Sequence, residues 1–301
     1  MAALKTIKTK IIAMKKSQTV TKAMEAVSAA KMRKSQQKAL GGRAYARAAA
    51  ATLSRVAGSR SLNNHPLAAV RPVTRALYIV ITSDKGLAGA LNSAVLRATT
   101  ADIGDTQTSV IAIGKKANDY FTARNYPVAV YHPNTVEADS VLVNTIVNEA
   151  ATRFVAGEVD VVKVAYQNFI STFEQRPTIR TVFPLSLEDL QRVVADIAPS
   201  RGAYAEPQES VESRPGTYTV EPSEGDVLGA ILPLLASVIV YHALLESQAS
   251  EHSARMVAMK SASDKAGEKQ GELTLQFNKA RQASITREVS EITGGMEAMA
   301  A

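Results

Sequence analysis

Apolar residues recur every three or four positions near both ends of this chain, and a different pattern lies between. The first segment, 3–57, contains no proline and is rich in good helix formers. Its apolar positions are Leu4, Ile7, Ile11 and Met14, followed, after a polar interruption at 16–18, by Val20, Met24 and Val27. This spacing predicts an amphipathic helix of the coiled-coil type with a stutter near residue 17.

The C-terminal segment has the same periodicity over a greater length. Ser223 and Asp226 form a Ser-x-x-Asp helix cap, after which steps of four and three from Ile231 to Ser284 visit 16 positions, 11 of them apolar. The stripe then shifts by one residue and continues through Ile285, Val289, Ile292, Met296 and Met299. A helix of about 70 residues would be about 105 Å long, so we expect it to project and to pair with the N-terminal helix as an antiparallel coiled coil.

The central part of the chain alternates short β-rich runs with helical stretches. Strands are predicted at 76–82, 109–113, 128–131, 159–166 and 178–184, and helices at 91–100, 115–124 and 139–156. This alternation is typical of βαβ units around a largely parallel sheet. Residues 198–222, rich in Pro, Gly, Ser and Glu, are predicted to be a loop or linker. The predicted domains are therefore an N-terminal helix (1–58), an α/β domain (59–222) and a C-terminal helix (223–301).

Charge and composition exclude several classes of protein. The absence of cysteine excludes disulfides, cysteine-based metal sites and thiol nucleophiles. Residues 1–60 hold fourteen Lys and Arg against one acid, Glu25, but no aromatic residue lies in the first 44 positions to stack on bases. We therefore expect a carboxylate-rich protein partner rather than nucleic acid. Because 227–245 contains Pro233 and His242, we do not expect it to span a membrane, and the N-terminus does not resemble a secretory signal.

The turn SDKGLAGALN (83–92) follows a predicted strand and precedes a helix, where phosphate-binding loops lie in nucleotide-binding folds. Its glycine spacing matches neither the P-loop nor the dinucleotide fingerprint, which favours a tight turn with glycines at positive φ. A nucleotide-binding enzyme using Gly86 and Gly89 remains the alternative function. The four histidines are scattered and no G-x-S-x-G elbow is present, so we expect no catalytic, cofactor or metal site.

Three segments are similar to signature segments of the gamma subunit family of F-type ATP synthases. They are ITSDKGLAGALN (81–92), SEHSARMVAMKSASDKAGE (250–268) and LTLQFNKARQASITREVSEITGG (273–295), and 19–34 resembles the first helix of that family. The resemblance implies a Rossmann-like α/β domain, without a nucleotide site, inserted between two long terminal helices that form an antiparallel coiled coil. It also implies a non-catalytic central rotor shaft that couples proton flow through a membrane c-ring to ATP synthesis.

The resemblance also implies partners, contacts and a location. The partners are the alpha and beta subunits, the epsilon subunit and the c-ring. Arg255 and Gln282 are expected to meet one loop of the beta subunit, with Thr286 beside them, and Met24 to face beta from the N-terminal helix. Ile285, Val289, Ile292 and Met296 are expected to turn within a hydrophobic collar. The expected location is peripheral, on the cytoplasmic side of a bacterial inner membrane, with a mitochondrial chain as the less favoured alternative.

Some positions depart from the family pattern. Ala88 stands where many members have cysteine, a change that a buried position tolerates. Lys265 replaces a common asparagine, and Gly267 and Gly271 are expected to soften the helix locally.

Overall fold

A computed structural model of the chain describes residues 2–41, 65–134, 140–185 and 223–300. The chain divides into two compact units. The helical unit comprises Met1–Ala29 and Arg255–Ala301, and the sheet unit comprises Ala30–Ala254. The linker 198–222 and the predicted end of the first helix lie outside the described residues, as do the boundaries at 59 and 222. The three-domain division stays a prediction.

The described residues form five α-helices and five strands. In chain order they are α1 (Ala2–Gly41), β1 (Arg75–Ile81), α2 (Leu91–Ile103), β2 (Gln107–Ile113), α3 (Lys115–Thr122), β3 (Val128–His132), α4 (Ser140–Val155), β4 (Val161–Phe169), β5 (Gln175–Phe183) and α5 (Glu224–Ala300). Each of these elements overlaps one predicted from the pattern. The predicted cap begins α5, because the Ser223 Oγ accepts a hydrogen bond from the Asp226 backbone N–H at 3.2 Å.

The strands form one sheet in the order β3-β2-β1-β4-β5. β1 pairs in parallel with β2 and with β4, and β2 pairs in parallel with β3. β5 runs antiparallel to β4, so the sheet is mixed, and the largely parallel sheet predicted from the sequence is confirmed with one antiparallel edge strand. The physical reason is the connection 170–174, which is too short for the crossover of a dozen or more residues that parallel neighbours require.

Alternate residues of β1 fill two apolar cores. Leu77, Ile79 and Ile81 pack in a cluster that includes side chains of α4 and the first part of α5. Ala76, Tyr78 and Val80 pack on the other face with side chains of α2 and α3. All of these β1 residues are buried because helices cover both faces, which explains why the strand is a continuous apolar run.

The apolar start of α5 corrects one sequence-based argument. The helical span Gly225–Met296 contains an 18-residue window long and apolar enough, by those two criteria, to cross a membrane. Pro233 lies inside the helix and does not end it. Half of that window is buried inside the structure, and Leu228, Leu232 and Leu244 belong to the core cluster beneath the sheet. The apolarity of this stretch is explained by packing within the sheet unit.

In the helical unit, the covered side of α1 matches the predicted stripe only in part. A row of covered positions steps by three and four without a break: Leu4, Ile7, Ile11, Met14, Gln18, Thr21, Glu25 and Ser28. The predicted Met24 beside this row is also half-buried. Val20 and Val27 are exposed, so the predicted stutter is wrong. The apparent skip arises because polar side chains occupy positions of the stripe. On α5 the predicted stripe is confirmed from Met259 to Ser284, with Met259, Ala266 and Leu273 buried.

Candidate functional site

The turn after β1 is held together by its own side chains. The Ser83 N–H donates to the Asn92 Oδ1 at 3.0 Å, and the Asn92 Nδ2 donates to the Ser83 Oγ at 2.7 Å. Gly89 has φ +60°, as the tight-turn interpretation requires, and Leu87 also has a positive φ of 65°. Ala88 is buried, which agrees with the expected tolerance for a small residue there.

The N-terminus of α3 lies beside this turn and is also occupied by groups of the chain. The Asp84 Oδ1 accepts a hydrogen bond from the Lys115 N–H at 2.7 Å, and the Thr82 Oγ1 accepts one from the Ala117 N–H at 2.9 Å. In nucleotide-binding folds, N–H groups at such a helix terminus bind phosphate. Here a carboxylate and a hydroxyl of the chain already bind these N–H groups of α3, so they are not available to a phosphate.

Two pairs of polar side chains in the sheet unit have an arrangement that fits a structural role. The Arg180 Nε donates to the Tyr166 hydroxyl at 2.7 Å, and the His242 Nε2 lies 3.5 Å from the Glu246 Oε1. Burial, together with the nearby Glu246 charge, raises the pKa of Tyr166. Among the described residues there is no group of three His, Cys, Asp or Glu side chains that could hold a metal ion.

The last part of α5 has an exposed surface that mixes apolar and hydrogen-bonding side chains. Ile285, Val289 and Ile292 are 51%, 53% and 63% exposed. Gln282 and Thr286 are also exposed, and the Thr286 Oγ1 donates to the Gln282 carbonyl at 3.0 Å. We call these five residues the distal surface. Spacings of three and four place them on neighbouring rows of the helix, as in a surface that contacts a partner.

Arg255 does not belong to the distal surface. It is half-buried, and it lies 27 residues before Gln282 on the same continuous helix, a separation of about 40 Å. The expectation that these two side chains meet one loop of a partner is therefore wrong. Arg281, in the motif KARQASIT, is exposed and adjacent to Gln282. Met24 is half-buried on α1.

Comparisons with known proteins agree over the whole chain. A family model described as ATP synthase matches residues 3–299. The ATP synthase gamma chain of Pelotomaculum thermopropionicum is 37% identical over 99% of this chain and 100% of its own length. The chain belongs to the ATP synthase gamma chain family. The gamma chain of an Exiguobacterium strain is similarly related, with 38% identity over 99% of this chain and 100% of its own length.

Solved structures of ATP synthases show the same fold as this gamma-family chain. A chain of the Euglena gracilis mitochondrial ATP synthase, in the assembly of OSCP, F1 and c-ring, has a TM-score of 0.66 at 20% identity. The match covers 99% of this chain and 95% of that chain. A chain of the Tetrahymena thermophila central stalk and c-ring has a TM-score of 0.60 at 22% identity, covering 81% and 99%. The fold is thus that of the ATP synthase central stalk.

Proposed function

We propose that this chain is the central rotor shaft of an F-type ATP synthase, coupling proton flow through a c-ring to ATP synthesis at sites on the beta subunits. The observation that supports this most directly is the distal surface, whose apolar residues stay exposed although the stripe before them is covered. Exposed apolar residues on a helix favour a contact supplied by another chain. The catalytic groups belong to the partner subunits in this proposal, and the chain itself is not an enzyme.

The distal surface is the proposed contact with the hexamer of alpha and beta subunits. Gln282 and Arg281 supply hydrogen-bond donors to a loop of the beta subunit, and the Thr286 hydroxyl, whose proton bonds the Gln282 carbonyl, offers an acceptor beside them. Ile285, Val289 and Ile292 turn within an apolar collar, where non-directional contacts change little with rotation. As the shaft turns, each beta subunit contacts a different set of side chains. These different contacts shift each beta subunit between conformations that differ in their affinity for nucleotide.

Met24 and Arg255 form a second proposed level of contact with the beta subunits. The charge of α1 supports this, because its described residues carry ten Lys and Arg against one acid, Glu25. Such a helix favours an acidic surface on its partner, through Coulomb attraction that salt weakens. The two levels are separate because Arg255 lies about 40 Å from Gln282 along α5.

The remaining partners and the location are also proposals. The sheet unit contacts the epsilon subunit and the c-ring, and the chain is attached to the membrane only through that ring. Its bacterial relatives favour a peripheral position on the cytoplasmic side of a bacterial cell membrane. Nucleic acid is not a proposed partner, and the chain holds no cofactor in this proposal.

Single cysteines test the contact directly, because the native chain has none. A photoreactive label on Val289→Cys in the assembled complex is expected to crosslink to alpha or beta subunits. The same label on Asp105→Cys, an exposed position in the sheet unit, serves as the control and is expected to give no alpha or beta product. Equal crosslinking from both positions would remove the support for a specific distal contact.

A further inference from the structure

One layer of the helical unit contains a glutamine directly after four apolar positions of the α1 stripe. Gln18 is half-buried in the same stripe as Ile11 and Met14. A Cβ built on Gly267 of α5 would lie 2.7 Å from the Gln18 Nε2, so the amide occupies the space that the missing side chain leaves. The lack of a side chain at Gly267 is thus used for packing, and the expected local softening of the helix stays a prediction.

The layers next to this contact also include polar residues. With the two helices antiparallel, as the sequence predicts, and Gln18 beside Gly267, counting residues along each helix puts Thr21 about level with Ser263 and Met14 about level with Gln270. Ser263 is buried and Gln270 is half-buried. Apolar layers of regular spacing hold two helices together at more than one axial offset, whereas a polar residue at a core position can specify one register.

Displacement by one heptad would remove the place that the Gln18 amide occupies. A heptad corresponds to about 10 Å along the helix. Seven residues on either side of Gly267, α5 carries Lys260 and Thr274, both of which have a Cβ. The amide would then meet a side chain where it now meets a bare backbone. We propose that the Gln18 amide, seated over Gly267, fixes the axial register of the two terminal helices.

This register device concerns only the two helices and does not depend on the partners proposed above. It also has a consequence for them, because the register decides which residues of α1 lie beside a given turn of α5. Of the two glycines in this region, only Gly267 has a neighbour at its Cβ position. A Cβ on Gly271 meets nothing within 4 Å, so Gly271 provides a matched control in the same helix.

Cysteine pairs in the otherwise cysteine-free full-length chain report the register. A disulfide needs Cα atoms within about 7 Å, which a displacement of one heptad exceeds. The in-register pair is Thr21→Cys with Ser263→Cys. The pairs displaced by one heptad combine Thr21→Cys with Gln270→Cys or with Met256→Cys. In the native background we expect oxidation to join only the in-register pair.

The test compares these pairs in three backgrounds. Gln18→Leu makes the layer apolar and removes the amide, and Gly267→Ala adds a methyl group where the amide lies. In both variants we expect the ratio of in-register to displaced disulfides to fall at least tenfold. Gly271→Ala is expected to leave the ratio unchanged. Helicity measured by circular dichroism shows which variants fold. The test needs only one of the two variants Gln18→Leu and Gly267→Ala to fold. A native ratio in both variants, or a displaced pair that forms readily in the native background, would overturn the proposal.

Discussion

The Asp84 carboxylate accepts a 2.7 Å hydrogen bond from the Lys115 backbone N–H, and so joins the turn after β1 to the start of α3. The bond satisfies one of the N–H groups that a helix leaves unpaired at its N-terminus. A negative charge is also favourable at this end of the helix dipole. The family's Gly-containing turn therefore has a structural purpose here, in the place where a related fold would bind phosphate.

Asp84→Ala is expected to lower the free energy of unfolding of the sheet unit by about 1 kcal/mol, the usual cost of losing a helix cap. Urea unfolding followed by near-ultraviolet circular dichroism measures this, because the helical unit contains no tyrosine or tryptophan. Asp105→Ala, at an exposed aspartate in the turn before β2, is the control and is expected to change little. Equal effects of the two substitutions would contradict the capping role.

Gly114→Ala is expected to cost more than about 3 kcal/mol, because it combines backbone strain with a steric clash. Gly114 has φ +98°, and a Cβ there would overlap the Thr82 carbonyl group. Gly104, with φ +52° and nothing within 4 Å of its Cβ position, separates the two causes. Its replacement by alanine is expected to cost about 1 kcal/mol from strain alone. The same urea titration measures the free energy of unfolding of both variants. Similar losses in the two variants would show that the atoms around Gly114 move aside at little cost.

Asp160 is expected to make the stability of the sheet unit depend on pH in the acid range. Its carboxylate accepts hydrogen bonds from the Thr74 hydroxyl at 2.6 Å and from the Thr74 and Arg75 N–H groups. These bonds lower its pKa to about 2 from the model-compound value of 3.8. Because the pKa is depressed in the folded state, the stabilisation is complete above about pH 4 and is lost as the pH falls towards 2.

Asp160→Asn tests this assignment in unfolding experiments at pH 6, 4 and 2.5. The native chain is expected to be the more stable of the two at pH 6, and the difference is expected to shrink between pH 4 and pH 2.5. Glu158→Gln, at a neighbouring exposed carboxylate, should show no such narrowing. If the native and Asp160→Asn chains differ in free energy of unfolding by the same amount at every pH, groups other than Asp160 cause the acid sensitivity.

Arg255→Ala and Gln282→Ala are each expected to reduce coupled ATP turnover in the assembled complex, but independently of one another. Sites about 40 Å apart with no shared partner group give effects that add within about 0.5 kcal/mol in a double-mutant cycle. Arg281→Ala with Gln282→Ala, which are adjacent, is expected to depart from additivity by more than that. Strong coupling between Arg255 and Gln282 would restore the single contact that the helix geometry excludes.

The elements could be predicted from the sequence because burial imposes a period. Leu77, Ile79 and Ile81 alternate with residues that are also buried, and the resulting apolar run marks a strand covered on both faces. The stripe of α5 from Met259 to Ser284 was predicted residue by residue, since a long helix with one covered side repeats every three or four residues.

Where the prediction was wrong, a contact between residues distant in sequence outweighed the local pattern. Val20 and Val27 suggested the covered side of α1, but Gln18 and Thr21 occupy it, because burial follows the position on the helix more than the residue type. The antiparallel direction of β5 could have been predicted from the short connection 170–174, which leaves no room for a crossover. The contact residues followed from a resemblance and stay a prediction, and helix geometry only separates Arg255 from Gln282 by about 40 Å.

The central claim, that this chain is a rotor shaft of an ATP synthase, is tested most directly by assembly with cognate alpha and beta subunits. Native mass and ATP hydrolysis are measured with the full chain, without it, and with a chain that ends at Ala280. We predict one copy per three alpha–beta pairs, turnover that depends on the full chain, and weaker turnover when the distal surface is removed. A chain that stays outside the complex and binds nucleotide by itself would contradict the claim.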